Sequence, residues 1–487
     1  MKKLMTVLAV GALMLSMAGI AVAADVDINI YGSSAQYKFW TVEAVPFLQA
    51  QGCTIAAANT LSVDTTTSTC PNGANACTAN GGWPAGVNWH GVKYFIASAT
   101  ACPAAVSTNG NVNIRVAAYD SNDGIQAALG HTNPLDVGEC VGNQRTQLAT
   151  VAGGNNVNNF DCYPTTLGAS DVNGTSLVQN TTGWFDGPAG PASPNKADSV
   201  CLISNGATCG TGAGTAGPQI NIDLGHFVAN NTAGASYRLV PTQTCGAGSG
   251  LTDYHPLVVP WGFFANKDAQ TTGDGLLQPH FTNLTPAMIA LILSGNVFDW
   301  HQFYPAIPAN SFINLCLRVG GSGTMATFDV GVVRTNGTGP TIPTEDSNLL
   351  NNGIWFNNTS GDLANCINNF PGSFGPLDAD NTNKGDTYGA IPFNGALPTA
   401  ANIQNGLYDR FWSLEHIFAP NPFPGAPSQQ SALVTALAAF AAVQANIPAA
   451  EVPFWMTSAN MNVQKATDFA YPPVWNGAGY NANNCYE

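Results

Sequence analysis

The sequence predicts an α/β fold, because segments with strand character alternate with segments of helical periodicity. Strand-like stretches occupy residues 27–31, 114–119 and 312–317, and each is followed by a short turn containing Gly, Ser, Asn or Asp. Each turn opens onto a run whose apolar residues recur at helical spacing. Strands that alternate with helices in this way favour layered α/β architecture, with candidate site residues at the strand-to-helix turns.

The first half begins with the alternating strand at 27–31, followed by a helix. We expect the apolar face of this helix to contain Phe39, Trp40, Val45, Phe47 and Leu48.

Two polar regions interrupt this half. Residues 50–110, rich in Thr, Asn, Gly and Cys, are predicted to form an insertion pinned by disulfides, and a strand at 114–119 precedes a helix through Leu129. Residues 130–250 hold most of the low-complexity sequence. The Gly-rich run at 210–217 has no following Lys, so we interpret it as a loop and not as a nucleotide-binding loop.

The second half is more regular. A buried strand is predicted at 257–265, and Thr285-Pro286 is a typical helix start for the segment 287–293, which ends at 294–296. A short extended piece is expected at 389–393 and a further helix at 430–445. No internal repeat is visible.

The N-terminus predicts export. Residues 1–3 carry two lysines, residues 4–22 are apolar, and Ala21-Val22-Ala23 has the small residues of a cleavage site. We therefore interpret residues 1–23 as a signal peptide, in preference to an uncleaved membrane anchor, because the apolar stretch is short and ends in this signature. A periplasmic, extracellular or cell-surface location follows from this interpretation.

The cysteines support an oxidising compartment. All twelve follow the predicted signal peptide, and no Cys-x-x-Cys occurs. An even number in an exported chain indicates disulfides, and Cys70/Cys77, Cys140/Cys162 and Cys201/Cys209 are close enough in sequence to staple loops, although connectivity does not follow from spacing alone.

Charge excludes some partners. Only 9% of residues are charged and the net charge is -15, so nucleic acid is not an expected partner. The seven histidines have no metal-ligand spacing, and we predict no metal, cofactor or catalytic site. A hydrolase triad of Asp171, His226 and Ser322 lacks the Gly-x-Ser-x-Gly turn that would support it.

The turn at 317–324 predicts anion binding. Its glycines leave N–H groups uncovered, Ser322 and Thr324 add hydroxyl groups, and Arg318 adds a forked cation. A helix that begins here would direct its free N–H groups and the positive end of its dipole at a ligand in the turn. An ordinary Gly-rich turn remains the alternative.

Several motifs, in order, resemble the phosphate-binding proteins of bacterial phosphate importers. The similar segments are 30–35, 120–125, Gly-Ala-Ser-Asp at 168–171, the helix and Ser-Gly-x-x-x-x-Trp exit at 284–300, Arg318 with Ser-Gly-Thr at 322–324, and 405–415. The family often has Asp two residues after the arginine, where this chain has Gly320, and it lacks so long an insertion between Ser121 and Asp171.

The resemblance implies a type 2 periplasmic-binding-protein fold, α/β and two-lobed with a cleft between the lobes, here with disulfide-rich loop insertions. Lobe 1 would comprise 24–258 and 392–487, and lobe 2 would comprise 259–391, with crossings near 256–260 and 389–392. A monomeric solute-binding protein is implied, which captures inorganic phosphate or a related oxyanion for an ABC transporter permease. The implied ligand-binding residues are Ser33, Ser34, Ala35, Ser121, Asp171, Arg318, Ser322, Gly323 and Thr324.

The residues also leave another class open. Low charge, long Asn/Thr/Gly insertions and many cysteines suit a cell-surface structural or adhesive protein that retains the fold without a working ligand site. Asp171 could be a simple turn residue and Arg318 a solvated charge. Each of the hydroxyl residues could be a helix cap.

Overall fold

The computed structural model describes residues 25–64, 93–130, 140–152, 159–174, 250–266, 281–318, 322–333, 354–357, 360–369, 371–383, 388–408, 410–420, 428–465, 468 and 474–475. Its strands are β1 Val26–Gly32, β2 Thr60–Asp64, β3 Lys93–Ala99, β4 Val112–Ala118, β5 Gln144–Leu148, β6 Phe160–Pro164, β7 Leu167–Ser170, β8 Leu251–Asn266, β9 Asn314–Arg318, β10 Ile354–Asn357, β11 Ser373–Asp378, β12 Tyr388–Ile391, β13 Trp412–Pro420, β14 Met456–Thr457, β15 Val463–Gln464 and β16 Val474–Trp475. Its α-helices are α1 Ser34–Ala50, α2 Ser121–Ala128, α3 Pro286–Leu293, α4 Gly323–Ala326, α5 Ser360–Asn369, α6 Ala400–Gln404 and α7 Ser428–Ala441.

A 12-stranded mixed sheet organises these elements, in the order β10-β9-β11-β8-β13-β7-β1-β4-β3-β2. Strands β12 and β14 both pair with β8. The sheet is parallel where β1 lies between β4 and β7, and again where β9 lies between β10 and β11. It is antiparallel around β8 and β13. The predicted α/β class is confirmed.

The β1–α1 unit forms as the sequence pattern predicts. Phe39, Trp40, Phe47 and Leu48 are fully buried, whereas Val45 is only partly buried. Ala44 is buried next to this face, because it is four residues from Trp40 and therefore on the same side of the helix. The aromatic rings of Trp40 and Phe47 meet edge to face, 6.0 Å apart.

The expected insertion at 50–110 is more regular than predicted. Strands β2 and β3 form an antiparallel ladder, and β3 pairs in turn with β4, so this region extends the main sheet at its edge. The prediction of an insertion pinned by disulfides did not foresee these two strands, although the Cys53–Cys102 disulfide does close the region. Tyr94, Phe95 and Ile96 are buried within β3, and this burial explains why the segment joins the core.

Strand β8 is central to the second half. The prediction of a buried strand at 257–265 is confirmed, and the strand extends further in both directions to a length of 16 residues. Its first part pairs with β13, and its last part pairs with β11 and β12. Both predicted crossings therefore fall in or beside β8. The division into lobe 1 (24–258 and 392–487) and lobe 2 (259–391) stays a prediction.

Helix α3 of the second half begins where its sequence signal indicates. Thr285 caps α3, since its Oγ accepts the N–H of Met288 at 3.3 Å, with Pro286 in the first turn. The helix predicted at 430–445 is α7, which starts earlier and ends at Ala441. The amide of Asn446 donates to the carbonyl of Phe440 at 2.9 Å, which satisfies one of the last carbonyl groups of α7.

Three disulfides are described. Cys140–Cys162 lies at the β5–β6 ladder, as the spacing suggested, Cys53–Cys102 closes the segment that contains β2 and β3, and Cys316–Cys366 joins β9 to α5. The suggested pairs Cys70/Cys77 and Cys201/Cys209 lie outside the described residues, as do residues 1–24 and the Gly-rich run. Within the described part of the chain, no helix combines the length and the hydropathy that crossing a membrane requires.

Candidate functional site

Asp171 lies where the candidate segments converge. It follows the last residue of β7 and is only 6% exposed. The hydroxyl of Ser33 donates to its Oδ1, and the hydroxyl of Ser121 lies 3.1 Å from its Oδ2. The main-chain N–H of Asp171 donates to the Ser121 oxygen at 3.1 Å. Two distant turns therefore hold one buried carboxyl group.

The sheet explains this convergence. Strands β1, β4 and β7 are parallel, so their carboxyl ends lie at the same edge, and each is followed by a turn. Ser33 caps α1 and donates its own N–H to the carbonyl of Ala169 at 3.0 Å. Ser121 is the first residue of α2, after the N-cap Asp120, whose side chain accepts the N–H of Asp123. The N-terminal ends of α1 and α2 therefore both lie next to the carboxyl group of Asp171.

Gly323 brings a third helix start to the same point. A Cβ atom placed on Gly323 would overlap the carboxyl group of Asp171 and the hydroxyl of Ser121. A side chain at this position is therefore incompatible with the packing, which explains the need for glycine. Ser121, Asp171 and Gly323, from three separate segments, are in direct proximity.

Ser322 and Thr324 flank Gly323 and are buried. Ser322 is the N-cap of α4, since its Oγ accepts the N–H of Met325 at 3.4 Å. The predicted helix is present, although from Thr327 to Val333 it continues as a π-helix. The hydroxyl of Ser322 therefore has a structural role that is independent of any ligand.

Arg318 is the last residue of β9 and is 7% exposed. Its Nη1 donates to the hydroxyl of Ser360, at the start of α5, at 2.8 Å. No contact described here joins Arg318 to Asp171. Residues 319–321 of the Gly-rich turn, including Gly320, lie outside the described residues.

Ser34 and Ala35 form the first turn of α1. Ala35 is buried and its N–H donates to the Ser33 hydroxyl at 3.1 Å, whereas Ser34 is half-buried. Neither side chain has a described contact with Asp171. Ser33 is thus the residue of this group that reaches the carboxyl group.

Burial determines the electrostatics of Asp171. Loss of hydration raises the pKa of its carboxyl group, and the charge of Asp378 raises it further. Hydrogen bonds from Ser33, Glu415 and Ser121 act in the opposite direction. The net direction is upward, so the carboxyl group holds a proton more readily than an exposed Asp.

Glu415 is a site residue that sequence analysis did not predict as such; it was only part of the 405–415 segment. It is fully buried on β13, beside Ser33 and Asp171. Burial raises the pKa of Glu415 well above its usual range, and the neighbouring charge of Asp171 adds to the increase. On the same face of β13, two residues earlier, the hydroxyl of Ser413 donates to the main-chain carbonyl of Asp171.

Asn122 is a second residue of the site that the sequence pattern did not indicate individually. It follows Ser121 directly in the first turn of α2 and is 1% exposed. Among the described residues, neither its amide nitrogen nor its amide oxygen has a hydrogen-bond partner. Buried amides are normally satisfied, so Asn122 is a candidate donor to a ligand at this edge. Its neighbour Asp123 is different, because the guanidinium of Arg145 binds both carboxylate oxygens at 3.0 and 3.1 Å.

A metal site requires several ligating side chains to lie close together. Among the described residues no group of three or more His, Cys, Asp and Glu is arranged to hold a metal ion. His226, which the hydrolase alternative required, lies outside the described residues.

Comparisons with known proteins give partial likenesses in structure only. No protein-family model matches the chain, and no curated protein matches its sequence. A protein from Clostridium perfringens, described as a phosphate ABC transporter substrate-binding protein with bound phosphate, has 16% identity and a TM-score of 0.29 over 40% of this chain and 70% of its own. An ABC-type phosphate transport receptor from Vibrio cholerae has 19% identity and a TM-score of 0.29 over 39% of this chain and 68% of its own.

A high-affinity periplasmic phosphate-binding protein, solved with phosphate at pH 8.5, has 13% identity and a TM-score of 0.30 over 42% of this chain and 65% of its own. Likenesses this partial carry no inference about the ligand, which therefore depends on the residues described above.

Proposed function

We propose that this chain is an exported solute-binding protein that captures inorganic phosphate, HPO4 2−, at the edge of the sheet around Asp171. The binding residues would be Ser33, Ser34, Ala35, Ser121, Asp171, Arg318, Ser322, Gly323 and Thr324. Phosphate would then pass to an ABC-type importer. The protein would act without catalysis and as a monomer.

The observation that carries this proposal is the convergence of three helix N-termini on one buried carboxyl group. Helices α1, α2 and α4 begin at Ser34, Ser121 and Gly323, and Ser33, Ser121 and Gly323 all lie against Asp171. Helix N-termini offer N–H groups and partial positive charge, which suit a small oxyanion. A protein with a net charge of -15 needs such local donors to attract an anion.

The carboxyl group at the centre favours phosphate among the oxyanions. An ionised carboxylate only accepts hydrogen bonds, so it pairs well with an anion that still carries a proton. HPO4 2− has such a proton, whereas sulfate has none and would be repelled. Asp171 therefore supplies selectivity, while the helix N-termini and Arg318 supply attraction.

Calorimetric titration of the purified protein with phosphate, sulfate and arsenate tests the proposal. We expect phosphate to bind, arsenate to compete because of its similar shape and protonation, and sulfate to bind much more weakly. Absence of heat with all three oxyanions, confirmed by equilibrium dialysis with labelled phosphate, would refute the proposed function.

One observation favours the alternative of a structural or adhesive cell-surface protein that keeps the fold without a working site. Ser33 and Ser121 already bond to the carboxyl group of Asp171, and Gly323 packs directly against it. In that case Asp171 itself would be the anion that satisfies the helix N-termini. The same titration distinguishes the two functions, because the structural protein would bind no oxyanion.

A further inference from the structure

Glu415 has an environment in which an ionised carboxylate is difficult to accommodate. It is 0% exposed, and neither of its carboxyl oxygens accepts a hydrogen bond from a donor within the described residues. Its side chain lies beside Ser33 and the carboxyl group of Asp171. An unpaired buried carboxylate next to a second carboxylate is strongly disfavoured, and such groups usually become protonated.

The hydrogen bonds of the Ser33 hydroxyl indicate that the proton between Ser33 and Glu415 must come from Glu415. Its hydroxyl has a single hydrogen, and this hydrogen is donated to Oδ1 of Asp171. Towards Glu415, therefore, the Ser33 oxygen can only accept. The contact between Glu415 and Ser33 becomes a hydrogen bond only if Glu415 is a carboxylic acid that donates its O–H.

We propose that Glu415 stores one proton for the oxyanion site, in a relay that runs from the Glu415 O–H to the Ser33 hydroxyl and on to the Asp171 carboxylate. This inference rests on the proposed function and adds to it a residue that determines charge and specificity. The relay keeps the negative charge of the pair on Asp171, the member that would accept the ligand's proton.

The charges around the relay support this assignment. Asp171 and Asp378 are the acidic groups that act on Glu415, and Lys38 neutralises Asp378 through a 2.7 Å ion pair. On the neighbouring strand β8 the residue opposite Glu415 is Leu257, which is apolar and buried. No cation described here contacts Glu415, so a proton is the available means of neutralising it.

Two consequences follow for binding. While Glu415 keeps its proton, the two carboxyl groups carry one negative charge between them. Once the proton leaves as the pH rises, a second buried charge faces the ligand and repels it, because Coulomb interactions are strong at short range in a buried site. The affinity for phosphate should therefore fall as the pH rises, and titrations above neutral pH separate this loss from the protonation of HPO4 2− itself.

Infrared spectroscopy tests the proton directly, on the whole chain labelled with 13C-glutamate at neutral pH. We expect a carbonyl band of a protonated carboxylic acid that shifts with the glutamate label and is absent from Glu415→Gln. This measurement succeeds or fails whether or not phosphate binds, so its outcome is distinct from that of the proposed function. A wild-type spectrum with only ionised glutamate bands would overturn the proposal. This outcome is decisive even if the variant does not fold, because it needs the wild type alone.

Phosphate titrations at rising alkaline pH test the consequence. The wild type and the control Glu43→Gln, which removes a partly exposed carboxyl group of α1, should lose about tenfold or more in affinity. Glu415→Gln should bind phosphate with nearly constant affinity, because its amide donates to Ser33 without ionising. Parallel losses in all three proteins would overturn the proposal. A wild type that binds no phosphate at any pH would refute the proposed function instead.

Discussion

At the scale of the residue, Asp171 differs from an ordinary turn Asp because its carboxyl group is buried among hydroxyl donors. The sequence predicted Asp171, Ser33 and Ser121 because each lies at a strand-to-helix turn that resembles a known family. It did not predict Glu415 as a site residue, because Glu415 meets Ser33 only through the pairing of β13 with β7 and of β7 with β1. Such long-range pairing leaves no local sequence pattern.

The proposed role of Asp171 predicts a change of selectivity in Asp171→Asn. An amide can donate as well as accept, so sulfate should no longer be repelled. We expect the preference for phosphate over sulfate to fall by about tenfold or more, measured as the ratio of the two dissociation constants by calorimetry. Asp161→Asn, on the exposed side of β6, is the matched control and should retain the preference of the wild type. Equal affinities for the two anions in the wild type itself would contradict the role of Asp171.

Arg318 supplies a second prediction at this scale. If its guanidinium pairs with the ligand in a desolvated site, Arg318→Ala should weaken phosphate binding by about 2–5 kcal/mol. Arg318→Lys should recover only part of this loss, because an ammonium group lacks the planar fork that suits an oxyanion. Ser360→Ala removes the described hydrogen-bond partner of Arg318 and reports on its positioning alone. Unchanged phosphate affinity in Arg318→Ala would show that the arginine serves only the bond to α5.

Among the helices and strands, the local sequence pattern was sufficient to predict β1, α1, α3 and the middle of β8. In these segments the apolar periodicity or the helix-capping residues indicate the observed structure. It was insufficient for β2 and β3, because their region is dominated by Thr, Asn, Gly and Cys, and the neighbouring strand β4 decides their conformation. The π-helical form of Thr327–Val333 likewise has no signal in the sequence. Pairing with a distant strand, which a single sequence does not display, determined the conformation of β2 and β3.

Strand β13 also contains a buried charged cluster. Nδ1 of His416 lies 2.9 Å from a carboxylate oxygen of Asp253 on β8, and its Nε2 lies 3.4 Å from an oxygen of Asp468. The same carboxylate oxygen of Asp468 also accepts the main-chain N–H of Asn173, two residues beyond Asp171, at 2.6 Å. Burial alone would lower the pKa of His416, but the two carboxylates outweigh it and raise the pKa to about 10. The imidazolium thus joins two strands, the C-terminal segment and the Asp171 loop.

This cluster predicts a pH-dependent stability. The pKa of about 10 in the folded protein exceeds the ordinary histidine pKa of 6.5. The stabilisation is therefore complete below pH 6.5, declines above it and is lost as the pH passes about 10. His416→Gln should lower the free energy of unfolding by about 3–5 kcal/mol at mildly acidic pH, the usual loss when one partner of a buried pair is removed. Urea unfolding should show that this difference shrinks towards pH 10. His301→Gln, in which a partly buried histidine is removed, is the control and should not show this pH dependence. A difference in the free energy of unfolding between wild type and His416→Gln that is constant at all pH values would contradict the charged pair.

Across the whole molecule, residues from the two predicted lobes contact each other directly. Gly323, of predicted lobe 2, packs against Asp171 of predicted lobe 1. Lys38 of α1 makes ion pairs of 2.7 and 2.8 Å with Asp378 and Asp380, which follow in the second half of the chain. Desolvation would lower the pKa of Lys38, but the two carboxylates more than compensate and raise it, so the amine stays charged. These contacts connect the two parts of the chain directly.

If the lobes close around phosphate by bending at β8 and β12, Lys38 should contribute to the closed form. Small-angle scattering should then show a smaller radius of gyration for the wild type with saturating phosphate than without it. Lys38→Gln should favour the open form, because a neutral amide leaves Asp378 and Asp380 without a counter-charge. Before phosphate is added, the variant should therefore have a larger radius of gyration than the wild type. It should also bind phosphate more weakly. Lys93→Gln, at the first residue of β3 and far from these ion pairs in the sheet order, should behave as the wild type does. Identical scattering of wild type and Lys38→Gln, with and without phosphate, would mean that the two halves form one rigid body and that the ion pairs stabilise it without controlling access to the site.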